Sequence, residues 1–263
     1  MFIWAKFRTA KGGIKIHTVL DGATLIPEVV NITEAKKHDR HGLKSLVFPK
    51  NTVIIEDRAY FDFSLIAQRL ANDNTFVCRI KQNTIYDSVR EIDLPNEKDQ
   101  HILKDEVIHL CSCAAKKAGI DKIEFRLIHV FLEEQNKVIE IITNNTQWKA
   151  ITIANLYKKR WAIETFFRTL KQNLKVKTFW GTSENAVKSQ IYIALICHLL
   201  LQVIKLNICK KKTAFSCLVQ KVRMFLYMPL TLDYICNNIK PLARYIETTN
   251  QHSITFKTHL FSG

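Results

Sequence analysis

The order of strand-like and helix-like segments is the feature that most constrains this fold. Short runs rich in β-branched and apolar residues recur before residue 143, a composition typical of buried strands. The clearest of these runs lie at residues 15–20, 24–32 and 51–55. After residue 146 the apolar positions follow a helical period almost continuously to residue 206. With one early helix at residues 63–72, this order indicates an α/β protein that contains a β-rich insertion.

The same pattern divides the chain into four segments. We predict the first part of an α/β core at residues 1–75 and a β-rich insertion at residues 76–143. The rest of the core, with its longest helices, is expected at residues 144–210, and a less regular region at residues 211–263. A short polar helix is also expected between Glu34 and Leu46.

The chain is strongly basic, with 39 Lys and Arg against 24 Asp and Glu and a formal net charge of +15 at pH 7. Such a surplus predicts a polyanionic partner such as nucleic acid, because neutralising phosphates releases counterions. Ribosomal, membrane-surface and heparin-binding proteins carry similar charge, so the net charge alone does not choose among these classes.

The seven cysteines do not form a disulfide or zinc pattern. Their number is odd and no CxxC pair occurs, which predicts a reduced, cytoplasmic protein. Cys111 and Cys113 are interpreted as strand residues rather than zinc ligands. His38 and His41 lie in a polar stretch, for which a solvated helix or turn is favoured over a metal site.

The longest apolar run covers residues 191–206 and contains His198, Gln202 and Lys205. It is shorter than a typical membrane span and contains polar side chains, which predicts a buried helix instead. The first residues of the chain do not have the pattern of a secretory signal. We therefore expect no membrane partner.

Residues 156–177 place one carboxylate among cations when they are arranged as a single helix. A stripe roughly 60–80° wide contains six polar side chains: Tyr157, Arg160, Glu164, Arg168, Lys171 and Lys175. An exposed helix with salt bridges between i and i+4 explains this stripe, and the pattern alone favours it. A metal-binding carboxylate with phosphate-binding neighbours explains it as well, because Mg²⁺ prefers hard oxygen ligands.

The spacing of Tyr157, Arg160, Glu164 and Lys171 reads Y-x2-R-x3-E-x6-K. It resembles the signature of the Asp-Asp-Glu transposases of insertion-sequence family four. The resemblance extends over residues 4–210 and includes the blocks WAKFRTAKGGIKIHTVLDG and IIEDRAYFD. It favours the catalytic interpretation of the stripe.

The resemblance implies a ribonuclease-H-like core in which Glu164 is the third catalytic acid. It implies that Asp57, at the end of NTVIIED, is the second acid. The local sequence alone favours a turn or helix N-cap carboxylate at Asp57, and Glu56 and Asp62 are nearby alternatives.

The activity implied by the resemblance is cutting DNA at the ends of an insertion sequence and joining the freed 3′-hydroxyls to target DNA. This reaction uses two divalent ions, Mg²⁺ or Mn²⁺, held by the acids. The implied DNA contacts come from Tyr157, Arg160 and Lys171, with Arg168 and Lys175 assisting. The implied partners are double-stranded DNA at the terminal repeats and the target, and further copies of the protein in a homo-oligomer. The protein is expected in the cytoplasm, associated with the nucleoid when bound to DNA.

The first acid of the family belongs to a strand upstream of the WAKFRTAKGG block, and no Asp precedes Asp21 in this chain. Asp21 itself lies in a turn after a predicted strand. We therefore expect that the first acid and the central strand are missing, which would leave unpaired backbone groups in the sheet. This chain would be a truncated copy that is inactive in cleavage. The alternative is a catalytically dead DNA-binding fragment that interferes with full-length transposase.

Overall fold

The computed structural model describes residues 6–8, 11–34, 46–94, 101–174, 179–207, 214–225 and 253–262. These residues form an α/β fold with one mixed sheet. The strands are β1 (Lys6–Arg8), β2 (Lys11–Asp21), β3 (Pro27–Glu34), β4 (Val53–Glu56), β5 (Thr75–Arg79), β6 (Tyr86–Glu91), β7 (Ile102–Leu110), β8 (Phe125–Leu132), β9 (Lys137–Thr143) and β10 (Ser253–Ser262). The helices are α1 (Phe63–Ala71), α2 (Cys113–Lys117), α3 (Ala150–Lys159), α4 (Trp161–Asn173), α5 (Glu184–Asn207) and α6 (Phe215–Phe225).

The sheet has the order β1-β2-β10-β4-β5-β9-β8-β7-β6, and β3 pairs with β2. The central strand β4 runs parallel to both β10 and β5, whereas the other pairings are antiparallel. The strands of the predicted β-rich region therefore continue the core sheet through the pairing of β5 with β9.

The position between β2 and β4 is filled by β10, a segment from the far end of the sequence. β10 pairs with β2 from Ile254 opposite Asp21 to Ser262 opposite Gly13. On its other side it pairs with β4, ending with Phe256 opposite Glu56. The expectation of unpaired backbone groups at this position is wrong, because β10 supplies the ladder. β10 contains no Asp or Glu, so it adds no acid to the sheet.

Side chains alternate across the sheet, and helices cover both of its faces. On β5, Phe76 and Cys78 belong to a cluster that includes Ile66 of α1. Val77 belongs instead to a cluster that includes Ile153 of α3. Opposite orientation of successive strand residues explains this division, and the burial of apolar area on both faces stabilises the sheet.

One sequence interpretation fails in this part of the chain, and another lies outside the residues that the structure describes. Cys111 and Cys113 are not strand residues, because β7 ends at Leu110 and α2 begins at Cys113. The hydroxyl of Ser112 accepts a hydrogen bond from the Ala115 N–H, so a serine N-cap followed by good helix formers starts a helix here. The predicted short helix after Glu34, with its two histidines at positions 38 and 41, lies outside the described residues.

The apolar run in α5 is buried on one side only. Val187, Ile191 and Leu195 pack into the core, but Ile193 and Leu200 are each 60% exposed. The prediction of a buried helix is therefore only half correct. Apolar residues occur all around α5, so their spacing in the sequence does not distinguish its buried side from its exposed side. Among the described residues, this helix alone is long and apolar enough to cross a membrane by length and composition, a test that core helices also pass.

Candidate active site

Asp57 lies immediately after β4, where the chain leaves the carboxyl end of a strand whose four residues are all buried. Such strand ends are common positions for functional residues in α/β sheets. The Asp57 Oδ1 accepts a hydrogen bond from the Arg58 N–H at 2.7 Å and caps a short 3-10 turn, so the predicted turn carboxylate is present. Its Oδ2 faces a different neighbour, the Arg160 guanidinium, at 3.8 Å.

The two alternative acids near Asp57 have structural roles. Glu56 forms an ion pair with Arg69 at 3.1 Å, with both side chains almost completely buried. Burial raises the pKa of Glu56, and the charge of Arg69 opposes this shift. Asp62 is the N-cap of α1 and accepts hydrogen bonds from the Ser64 and Leu65 N–H groups. Asp57, which is 28% exposed, is the carboxylate of this group that faces Arg160.

Glu164 lies in the first turn of α4. The expectation of one continuous helix over residues 156–177 is wrong, because α3 ends at Lys159 and α4 begins at Trp161, with Arg160 in the turn between them.

Packing against two separate parts of the core explains this break. Ile153 and Tyr157 of α3 pack with residues of β4, β5, β8 and β9. Ile163 and Phe167 of α4 pack instead with β2 and α5. The turn at Arg160 lets each helix bury its own apolar face.

Arg160 connects the two acids. Its Nη1 donates a hydrogen bond to the Glu164 Oε1 at 3.1 Å and lies 3.8 Å from the Asp57 Oδ2. The Arg160 side chain is 15% exposed and lies over the Tyr157 ring at 5.6 Å. Burial opposes the charge of Arg160, but Tyr157, Asp57 and Glu164 outweigh it, so the pKa of Arg160 is raised. Two carboxylates from distant parts of the chain thus lie within reach of one cation.

Tyr157 lies beneath this cluster and is only 8% exposed. Burial raises the pKa of Tyr157 to about 12, while the charges of Arg160 and Arg79 act in the opposite direction. The phenol therefore stays protonated at neutral pH, and its ring forms a packed support for Arg160. The expected contact of Tyr157 with phosphate stays a prediction.

The remaining cations of the predicted stripe lie along α4 or beyond it. Arg168 is exposed and Lys171 is partly buried, whereas Lys175 lies outside the described residues. The sequence interpretation did not single out Arg79 or Trp161. Cys78 of β5 pairs with Glu56 of β4 in parallel register. Arg79, which follows Cys78, therefore lies at the same end of the strands as Asp57, which follows Glu56. Trp161 is 51% exposed beside Arg160.

The donor set at this site fits one divalent cation. Asp57 and Glu164 offer hard carboxylate oxygens, and Mg²⁺ often binds one or two carboxylates together with water and phosphate oxygens. Within the described part of the chain, no group of three or more His, Cys, Asp or Glu side chains could hold a metal ion. The Asp21 Oδ1 accepts hydrogen bonds from the Ala23 and Thr24 N–H groups in its own turn.

The fold places the chain in the class of α/β proteins with a ribonuclease-H-like transposase core. The family described as transposase DDE domain matches residues 4–200, and the chain belongs to this family. A probable transposase for insertion sequence element IS5377 of Geobacillus stearothermophilus is 28% identical over 96% of this chain and 66% of its own length. The putative transposase y4zB of Sinorhizobium fredii is 29% identical over 76% of this chain and 56% of its own length.

A third relative is the putative transposase for insertion sequence element IS4SA of Synechocystis. It is 27% identical over 73% of this chain and 53% of its own length. The chain therefore spans between about half and two thirds of the length of these curated relatives. The family typically uses divalent metal ions and acts on DNA.

Proposed function

We propose that this chain carries part of the active site of an insertion-sequence transposase, which cuts DNA at the element ends and joins the 3′-hydroxyls to target DNA. The observation that carries this proposal is the approach of Asp57 and Glu164 to the same Arg160 nitrogen in a member of the DDE family. Asp57 is the second acid of the triad and Glu164 the third.

Asp57 and Glu164 would hold Mg²⁺ or Mn²⁺ through their carboxylate oxygens, and the complete family site would hold two such ions. Such an ion would supply charge stabilisation for the transferred phosphoryl group and a more nucleophilic attacking oxygen. Arg160, Arg168, Lys171 and Lys175 bind backbone phosphates, and Tyr157 supports Arg160. The partners are double-stranded DNA and further copies of the transposase, and the site of action is the cytoplasm and nucleoid.

A second candidate function is DNA binding without cleavage. The observation that favours it is the absence of acids from β10, the strand between β2 and β4. Two carboxylates provide too few ligands for two adjacent divalent ions, which would normally remove most of the rate. In this case the chain interferes with full-length transposase by occupying the same element ends.

Incubation of the purified chain with Mg²⁺ or Mn²⁺ and DNA that carries the element's own ends tests these alternatives. We expect no specific nicking above that of Glu164→Gln. Specific nicking that disappears in Glu164→Gln would contradict inactivity.

A chain that also contains an Asp-bearing first strand should cleave, and Asp57→Asn or Glu164→Gln in that chain should abolish cleavage. Retained cleavage in both variants would contradict the active-site assignment.

The DNA-binding role of α4 leads to a separate prediction for Lys171→Ala. This substitution should weaken DNA binding for every sequence and reduce the slope of log affinity against log salt concentration by about one, because one phosphate contact is lost. Titration of a fluorescent duplex at several salt concentrations measures both quantities. Lys117→Ala is the matched control, since it removes an exposed lysine from α2. Equal slopes for the two variants would contradict the assignment.

A further inference from the structure

We propose that Arg160 is an internal counter-ion that competes with the divalent cation for Asp57 and Glu164 until DNA phosphate draws its guanidinium away. This inference rests on the proposed function of the two acids. Its consequence is that DNA and metal bind cooperatively, because each favours the arrangement in which Arg160 has left the carboxylates.

The position of Arg160 supports direct competition. Its Nη1 is the nitrogen that approaches both the Glu164 Oε1, at 3.1 Å, and the Asp57 Oδ2, at 3.8 Å. A cation held jointly by these two oxygens would lie close to the present position of the Arg160 Nη1. Repulsion between the guanidinium and a divalent ion is strong at such short separation in a partly buried site.

The surroundings of Arg160 also favour its release toward phosphate. Its Nε is buried and has no hydrogen-bond partner among the residues that the structure describes. The guanidinium therefore does not use all of its donors on the two acids. A phosphate group can accept paired hydrogen bonds from the planar guanidinium, which is the geometry that arginine satisfies best.

Asp57 and Tyr157 each have contacts that do not depend on Arg160. Asp57 is held by the hydrogen bond from the Arg58 N–H to its other oxygen. Tyr157 is buried below the guanidinium. Arg160 itself lies in the turn between α3 and α4 and is not enclosed by a regular helix. We infer that its side chain turns outward while the hydrogen bond between Asp57 and the Arg58 N–H is kept.

The test is a titration of the full chain with Mn²⁺, followed by electron paramagnetic resonance, in the presence and absence of a short DNA duplex. Without DNA, Arg160→Gln should bind Mn²⁺ about tenfold tighter than the unchanged chain, within the usual range for coupled sites. DNA should tighten Mn²⁺ binding to the unchanged chain but not to Arg160→Gln. Arg160→Lys should have intermediate affinity, because it keeps the charge but not the planar fork.

Lys159→Gln is the matched control, because it removes one exposed positive charge from the adjacent position and should leave Mn²⁺ affinity nearly unchanged. Circular dichroism establishes that each variant is folded. Unchanged or weaker Mn²⁺ binding by Arg160→Gln, with binding still lost in Glu164→Gln, overturns this inference and leaves the proposed function intact. The inference is also overturned if DNA tightens Mn²⁺ binding equally in Arg160→Gln and in the unchanged chain. Mn²⁺ binding that persists in Glu164→Gln overturns both this inference and the proposed function.

Discussion

Arg69→Met should lower the free energy of unfolding by about 3–5 kcal/mol at neutral pH, because it leaves the buried Glu56 carboxylate without its partner. Arg69 and Glu56 are both almost completely buried, and their ion pair joins α1 to the end of β4. Urea unfolding measures the loss. Since Asp57 follows Glu56 directly, this ion pair also holds in place the end of β4 from which Asp57 reaches the candidate metal site.

The effect of Arg69→Met should depend on pH. Burial raises the pKa of Glu56 in the folded chain, so the folded state binds the proton more tightly than the unfolded state. For this sign, the contribution of Glu56 to stability is fully present below its unfolded pKa of about 4.3 and is lost as pH rises through its folded pKa. Loss of Arg69 raises the pKa of Glu56 in the folded chain further. The loss of stability caused by Arg69→Met should therefore be larger at neutral pH than in mild acid.

A second substitution provides the control for Arg69→Met. Glu56→Gln added to Arg69→Met removes the unpaired charge and should recover part of the lost stability. The ion-pair account would be contradicted by a deficit that is the same at all pH values and is not relieved in the double variant.

Thr255→Pro should destabilise the chain by at least about 2–3 kcal/mol, since it removes a ladder hydrogen bond in a central strand and leaves the partner group unpaired. Thr255 pairs with Leu20 of β2 and with Ile55 of β4. The prediction tests whether β10 occupies the central position of the sheet in solution. Urea unfolding again gives the free-energy change.

Val89→Pro is the matched control for Thr255→Pro. β6 is at the end of the sheet order, and Val89 lies at an irregularity in its pairing with β7 between Ser88 and Arg90. Proline is tolerated at edge strands and bulges, so this substitution should have a much smaller effect. Equal losses in the two variants would mean that β10 does not form the central ladder.

Local sequence predicts parts of the candidate site, although the resemblance to the transposase family was needed to single out Asp57 and Glu164 as its acids. A short β-branched run that ends in acids predicts a buried strand with Asp57 at its end. The spacing of Arg160 and Glu164 predicts that their side chains meet, and the structure has this contact at 3.1 Å. These features depend on strand and helix periods, which are local properties of the chain.

Other features depend on packing between distant segments and were not predicted. The helix break at Arg160 arises because α3 and α4 bury their apolar faces in different clusters. The position of β10 depends on its pairing with β2 and β4, and strand composition does not specify a partner. The assignment of Glu56 to the core depends on Arg69, a charged residue within the helix α1.

Asp57 and Glu164 are proposed to share one divalent ion. Fe²⁺ bound at such a site produces hydroxyl radicals with ascorbate and peroxide, and these cut the nearby backbone. We predict two groups of protein fragments, from cuts near Asp57 and near Glu164, that Mg²⁺ or Mn²⁺ suppresses and that are absent in Glu164→Gln. Cuts at only one of these positions, or cuts that persist in Glu164→Gln, would contradict the shared site.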